Sequence, residues 1–131
     1  MSEEEKQIKG KILVIDDHPF FPSTLKYKFE KHGYEVFSAK DGANGIIIAK
    51  KVIPDVIFID YIMPGMDGIE TCKKLKQQKE LEKTYLLLYT SEAYPKIVAE
   101  AVKAGAVDFV TKTTPFETIL KKVENLLGNK Q

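Results

Sequence analysis

Strand and helix signals alternate five times along this chain, and that alternation constrains its fold more than any other feature. Short apolar runs stand at residues 12–15, 34–37, 56–59, 85–89 and 107–110. The second is weaker than the rest, and Asp108 interrupts the last. ILVI and VIFI are continuous rather than alternating, which suits strands covered on both faces of a parallel sheet. Between the runs, helices are marked by their punctuation. Leu25 and Phe29 lie one helical turn apart, and Gly33 is placed to end their helix. Asp67 can cap a helix with Glu70 reciprocating, and Ile69, Cys72 and Leu75 share its inner face. Thr114, Pro115 and Glu117 read as N-cap, first helical position and capping-box partner of a last helix. Behind them Phe116, Ile119, Leu120, Val123, Leu126 and Leu127 form one apolar stripe, closed by Gly128.

The expectation is therefore strands near 11–16, 34–38, 55–60, 85–90 and 107–111, with helices near 20–32, 42–52, 67–78, 94–104 and 115–127. Right-handed crossovers between parallel strands then place helices on both faces of the sheet, a three-layer α/β architecture. At 131 residues one domain uses the whole chain. Residues 1–10 read as a flexible polar tail, residues 11–128 as the domain, and no output domain is expected. Composition, 44% hydrophobic and 30% charged, is that of a soluble globular protein rather than a disordered one. Twenty basic against nineteen acidic side chains make no case for direct contact with nucleic acid or an anionic membrane. The apolar stretches are too short to span a bilayer, and MSEEEKQIKG lacks the hydrophobic region of a signal peptide, so a cytoplasmic location is expected. The single Cys72 excludes an internal disulfide and a cysteine zinc site, and reads as core.

In an open parallel sheet, functional groups gather beyond the carboxyl ends of the strands. Here the first strand ends in Asp16-Asp17, the third in Asp60, the fourth in Thr90-Ser91 and the fifth in Lys112. Taken singly these are ordinary: a polar turn, a helix cap, a β-former, a solvated charge. Taken together they put three carboxylates, a hydroxyl and an ammonium around one crevice. Three carboxylates stay ionised there only if a cation offsets them. A donor set made of oxygens favours Mg²⁺, with Mn²⁺ as an alternative, over zinc. A metal and a lysine facing a carboxylate attract a phosphoryl group, and Asp can accept one covalently. The lone His18 reads as a bystander rather than a ligand. "MPGMDG" at 63–68 reads as a turn at Pro64-Gly65, a cap at Asp67 and a close backbone approach at Gly68.

With those residues in place, the chain resembles a response-regulator receiver domain of two-component signalling, from about Lys11 to Leu127. The residues that carry the likeness are Asp16-Asp17 after ILVI, Asp60 after VIFI, MPGMDG, Thr90 after LLLY, AGAVDFVTK at 104–112 and PF at 115–116. The resemblance implies a flavodoxin-like (βα)5 fold with sheet order 2-1-3-4-5. It implies that Asp60 is the phosphoacceptor, supplied by a histidine kinase or histidine phosphotransfer protein. Asp17 would bind Mg²⁺ directly, Asp16 mainly through water, and the backbone carbonyl of Ile62 would complete the protein ligands. Lys112 would pair with Asp60 or its phosphoryl group. Thr90 would swing toward that group and Phe109 would rotate inward behind it. The face formed by the fourth helix, fifth strand and fifth helix would thereby be remodelled for a downstream protein target. Such a chain is a regulatory phosphoacceptor rather than an enzyme, with limited self-phosphorylation and self-dephosphorylation, and is a monomer or a phosphorylation-linked dimer.

One stretch departs from the family pattern, and one position bears on a competing phosphohydrolase reading. Receivers usually place proline directly after the lysine, through a cis bond, whereas Thr113-Thr114 stand between Lys112 and Pro115 here. Ile62 stands where phosphohydrolases with an Asp nucleophile carry a second acid, which argues against turnover and against rapid self-dephosphorylation. Glu92, two residues past Thr90, is placed to influence an attacking water. A pseudo-receiver that only binds proteins would have lost an acid or the lysine, and none is lost. A nucleotide-binding relative would want a glycine-rich turn after the first strand, and DDHPFFP supplies none.

Overall fold

The computed structural model describes residues 7–91 and 94–128. Five parallel strands, β1 (Lys11–Ile15), β2 (Glu35–Ala39), β3 (Val56–Ile59), β4 (Tyr85–Thr90) and β5 (Ala106–Thr111), alternate with five helices. These are α1 (Phe21–Lys31), α2 (Gly42–Val52), α3 (Gly68–Lys76), α4 (Pro95–Lys103) and α5 (Phe116–Gly128). The sheet runs β2-β1-β3-β4-β5, the expected order. The tail expected at 1–10 lies outside the described residues up to residue 6, as does Glu92. Further on, the Lys9 amide donates to the Gly33 carbonyl at 2.8 Å, and Gly10 is buried.

The continuous apolar runs do what their pattern demands. Every residue of ILVI and of VIFI is 0% exposed, because helices cover both faces of the sheet's centre. The strand's period of two then sorts their side chains into two cores. Leu13, Ile15, Ile57 and Ile59 pack with Ala49, Cys72, Leu75 and Ala101 on the α2–α3–α4 side. Ile12, Val14, Val56 and Phe58 pack with Leu25, Phe29, Ile119 and Val123 on the α1–α5 side. Phe29 anchors the second core, with ring centroids 5.5 Å from Tyr34, 5.9 Å from Phe58 and 4.9 Å from Phe116. That last contact is how α5 docks on α1.

Most helix termini follow the sequence signals. Gly33, at φ +91°, closes α1 with its amide on the Glu30 carbonyl. The Asp67 carboxylate accepts the Glu70 amide at 2.9 Å and starts α3. The expected cap at Thr114 is different. Its hydroxyl accepts the Thr111 amide at 3.1 Å and meets the Thr111 hydroxyl at 3.0 Å. The two residues inserted after Lys112 close a small turn on themselves and engage the hydroxyl, so α5 begins at Phe116, with the Pro115 carbonyl accepting from Thr118 and Ile119. All described peptide bonds are trans. A short 3₁₀ helix, Lys79–Leu81, that no sequence signal announced seats Leu81 at 1% exposure in the first core.

Candidate functional site

Register decides which side chains meet at the carboxyl edge. Ile15 pairs with Ile59, and the Asp60 amide donates to the Ile15 carbonyl at 2.9 Å. Asp16 and Asp60 therefore leave adjacent central strands in step. One strand further, Thr90 pairs with Thr111, and the Lys112 amide donates to the Thr90 carbonyl at 3.0 Å. The long Lys112 side chain spans the remaining gap.

The result is a compact charged cluster. Carboxylate oxygens of Asp16, Asp17 and Asp60 all lie within 4.8 Å of one another. Asp16 and Asp60 are buried and Asp17 is exposed. Lys112 Nζ lies 2.8 Å from Asp16 Oδ2 and 3.1 Å from Asp60 Oδ2, its side chain only 6% exposed. The Asp60 contact has hydrogen-bond geometry, whereas Asp16 Oδ2 is buried with no donor aligned to it despite the close ion pair. One ammonium against three carboxylates leaves an excess of negative charge in a desolvated place. Asp60 registers it: burial first, and the Asp16 charge second to it among the raising causes, push its carboxyl up to about 6 even though Lys112 pulls the other way.

A divalent oxygen-seeking cation suits this arrangement. With oxygens within 4.8 Å of one another, the three acids are near enough to share one such ion. The unaligned Asp16 oxygen and the uncompensated charge are what such an ion would satisfy. A cleft of about 640 Å³ opens beside the cluster, lined in part by Asp16, Asp17, His18, Lys40 and Asn44.

The loop after β3 is drawn tight against α3. The Gly68 amide donates to the Tyr61 carbonyl at 2.9 Å. A Cβ on Gly68 would stand 2.3 Å from the Asp60 carbonyl oxygen, so only glycine allows this approach. Ile62 projects outward at 73% exposure, and its carbonyl accepts no backbone hydrogen bond among the described residues. Thr90 is buried at the end of β4, while Phe109 on the neighbouring strand is 37% exposed.

Three residues matter more here than their sequence context signalled. His18 is not in the acidic cluster, but its amide donates to Asp16 Oδ1 at 2.9 Å. Its ring Nδ1 accepts from the Phe20 and Phe21 amides at 3.1 and 3.3 Å, which caps α1. Phe21 and Tyr89 place their rings 4.9 and 5.5 Å from Lys112 Nζ. Two aromatics after DDHP and one before Thr90 were the available signal, but nothing local links them. Among the described residues no helix is long and apolar enough to cross a membrane.

Comparison with known proteins agrees with this geometry. The family model for the response regulator receiver domain matches residues 12–124. Protein PilH of Pseudomonas aeruginosa is 31% identical over 119 residues, covering 91% of this chain and 98% of that one. The alkaline phosphatase synthesis transcriptional regulatory protein PhoP of Bacillus subtilis is 35% identical over 117 residues, covering 89% of this chain and 48% of PhoP, so the chain spans about half that relative's length. Among solved structures, the chemotaxis protein CheY4 of Vibrio cholerae superposes with a TM-score of 0.85 at 30% identity, covering 92% of this chain and 99% of that one.

Proposed function

This chain belongs to the response regulator receiver domain family, and from that premise we propose that Asp60 accepts a phosphoryl group in a Mg²⁺-dependent transfer. The donor is a phosphohistidine on a histidine kinase or histidine phosphotransfer protein. A carboxylate oxygen of Asp60 forms the new P–O bond as the P–N bond to the donor imidazole breaks, and the imidazole leaves with the electron pair. Asp16, Asp17, Asp60 and the Ile62 carbonyl would hold Mg²⁺, which when bound would offset the charge on the phosphoryl oxygens. The observation that carries the reading is Lys112 Nζ held 3.1 Å from Asp60 and 2.8 Å from Asp16 inside a three-carboxylate cluster.

Each residue then has a task set by its place. Lys112 keeps the cluster from expelling an anionic group and pairs with the arriving phosphoryl oxygens. The Thr90 hydroxyl turns toward the same group, opening the space behind it into which Phe109 rotates. That motion redraws the α4–β5–α5 face, where a protein target reads the state. The cluster is a regulatory acceptor with slow self-dephosphorylation, because the side chain two residues past Asp60 is the apolar, exposed Ile62. A hydrolase would want an acid there.

Incubation with a small acyl phosphate and Mg²⁺ tests the assignment. Wild type should incorporate phosphate and Asp60→Asn should not; equal labelling of the two would remove Asp60 from the role. The aspartyl phosphate should last many minutes in denaturant-free buffer, and a half-life of seconds would refute the part assigned to Ile62.

A further inference from the structure

We infer that Phe21 and Tyr89 are positioning residues for Lys112, holding its ammonium by their ring faces between Asp16 and Asp60. The inference rests on the phosphoacceptor reading above. Lys112 Nζ lies over the Phe21 ring at 4.9 Å from the centroid and over the Tyr89 ring at 5.5 Å, both within the range of cation–π attraction. With the side chain 6% exposed, hydration is largely replaced by two carboxylates and two ring faces. An ammonium on a flexible four-carbon stem has many ways to approach a pair of acids. Two ring walls beside the acids narrow that choice.

The rings are themselves fixed, which a positioning role requires. Phe21 and Tyr89 meet edge to face at 6.4 Å and 89°, and Tyr89 meets Phe58 at 5.9 Å and 72°. On the other side the His18 ring lies 4.4 Å from Phe21. His18 also accepts the Phe21 amide, and its own amide binds Asp16 Oδ1. One short segment thus orients an acid of the cluster and the ring that steers the lysine. A leucine at position 21 or 89 would fill much of the same volume but offer no negative ring face. Packing and steering are separable by that substitution.

The experiment compares Phe21→Leu, Tyr89→Leu and Tyr89→Phe with wild type in two measurements. The first is the rate of phosphate incorporation from a small acyl phosphate at saturating Mg²⁺. Each leucine variant should be slower by about 5- to 30-fold, the factor that a desolvated cation–π contact corresponds to, while Tyr89→Phe should stay within twofold of wild type. The second is the proton shift of the Lys112 ε-methylene in the full chain. Ring currents should move it upfield in wild type and in Tyr89→Phe, and the leucine variants should lose part of that shift. Leucine variants that are folded and within twofold of the wild-type rate overturn the inference, as does Tyr89→Phe behaving like Tyr89→Leu. Should Tyr89→Leu fail to fold, Phe21→Leu decides, since Phe21 is only half-buried. Absence of labelling in wild type would remove the phosphoacceptor reading instead, and the ε-methylene shifts would then decide the ring contact on their own.

Discussion

At the scale of single residues, the acidic cluster is an electrostatic liability for the fold. Asp60 is held up to about 6, through burial first and then the neighbouring Asp16 charge. An acid whose folded value is raised binds its proton more tightly in the native state than in the unfolded chain. Stability is therefore greatest below the unfolded value, near 4, and is lost as pH rises through about 6. Asp60→Asn removes that loss. With a chelator present it should be more stable than wild type at pH 7 by about 1–2 kcal/mol, allowing for screening at the site mouth. The advantage should vanish near pH 4. Urea unfolding at the two pH values checks this, and an advantage of equal size at both would mean that it does not come from ionisation. Mg²⁺ should narrow the gap at pH 7, because the ion stabilises the charged form of wild type.

At the scale of elements, one joint holds the site and another bears only on the fold. Gly68 lets the first turn of α3 press against the Asp60 carbonyl, with no room for a Cβ at 2.3 Å. Gly68→Ala must push the loop and helix apart, at a cost of about 1–3 kcal/mol. Because the loop carries Asp60, the variant should also lose at least tenfold in the rate of phosphate incorporation. A melting curve together with the labelling assay reads both, and destabilisation at an unchanged rate would separate the joint from the site. The other joint is at the far edge of the sheet. Ile53 ends α2 in the left-handed region at φ +49°, a conformation that costs a β-branched residue energy, and its side chain is 42% exposed. Ile53→Gly should therefore stabilise the fold by about 1 kcal/mol and leave labelling at Asp60 unaltered. A lower melting temperature in the glycine variant would mean that the apolar contact outweighs the strain.

At the scale of the whole molecule, what could be read in advance divides along physical lines. β1 and β3 were legible because burial on both faces leaves an uninterrupted apolar run, and their ends were legible because the run stops at a carboxylate. The meeting of Asp16, Asp60 and Lys112 followed from topology, since parallel order brings those ends to one edge. The rings around Lys112 were not legible, because Phe21 at the start of α1 and Tyr89 near the end of β4 meet only in the folded chain, and no local pattern encodes that meeting. Thr114 misled for a related reason: a hydroxyl before a proline caps a helix unless a nearer amide takes it, and Thr111 does. The same long-range logic would govern the proposed switch. Thr90 and Phe109 sit on neighbouring strands, the one buried and the other partly exposed. If phosphorylation acts by population shift, the phosphoryl group must bind the inward state more tightly, and the Thr90 hydroxyl is the contact proposed for this. Thr90→Ala should then accept phosphate at Asp60 within a few fold of the wild-type rate yet fail to move Phe109. A fluorine label on the Phe109 ring reads this directly by NMR. Wild type should shift from an exposed to a buried signal on addition of acyl phosphate and Mg²⁺, and Thr90→Ala should stay exposed while fully labelled. A Thr90→Ala signal that moves as far as the wild type's would show that the two strands are coupled by a route that bypasses the hydroxyl.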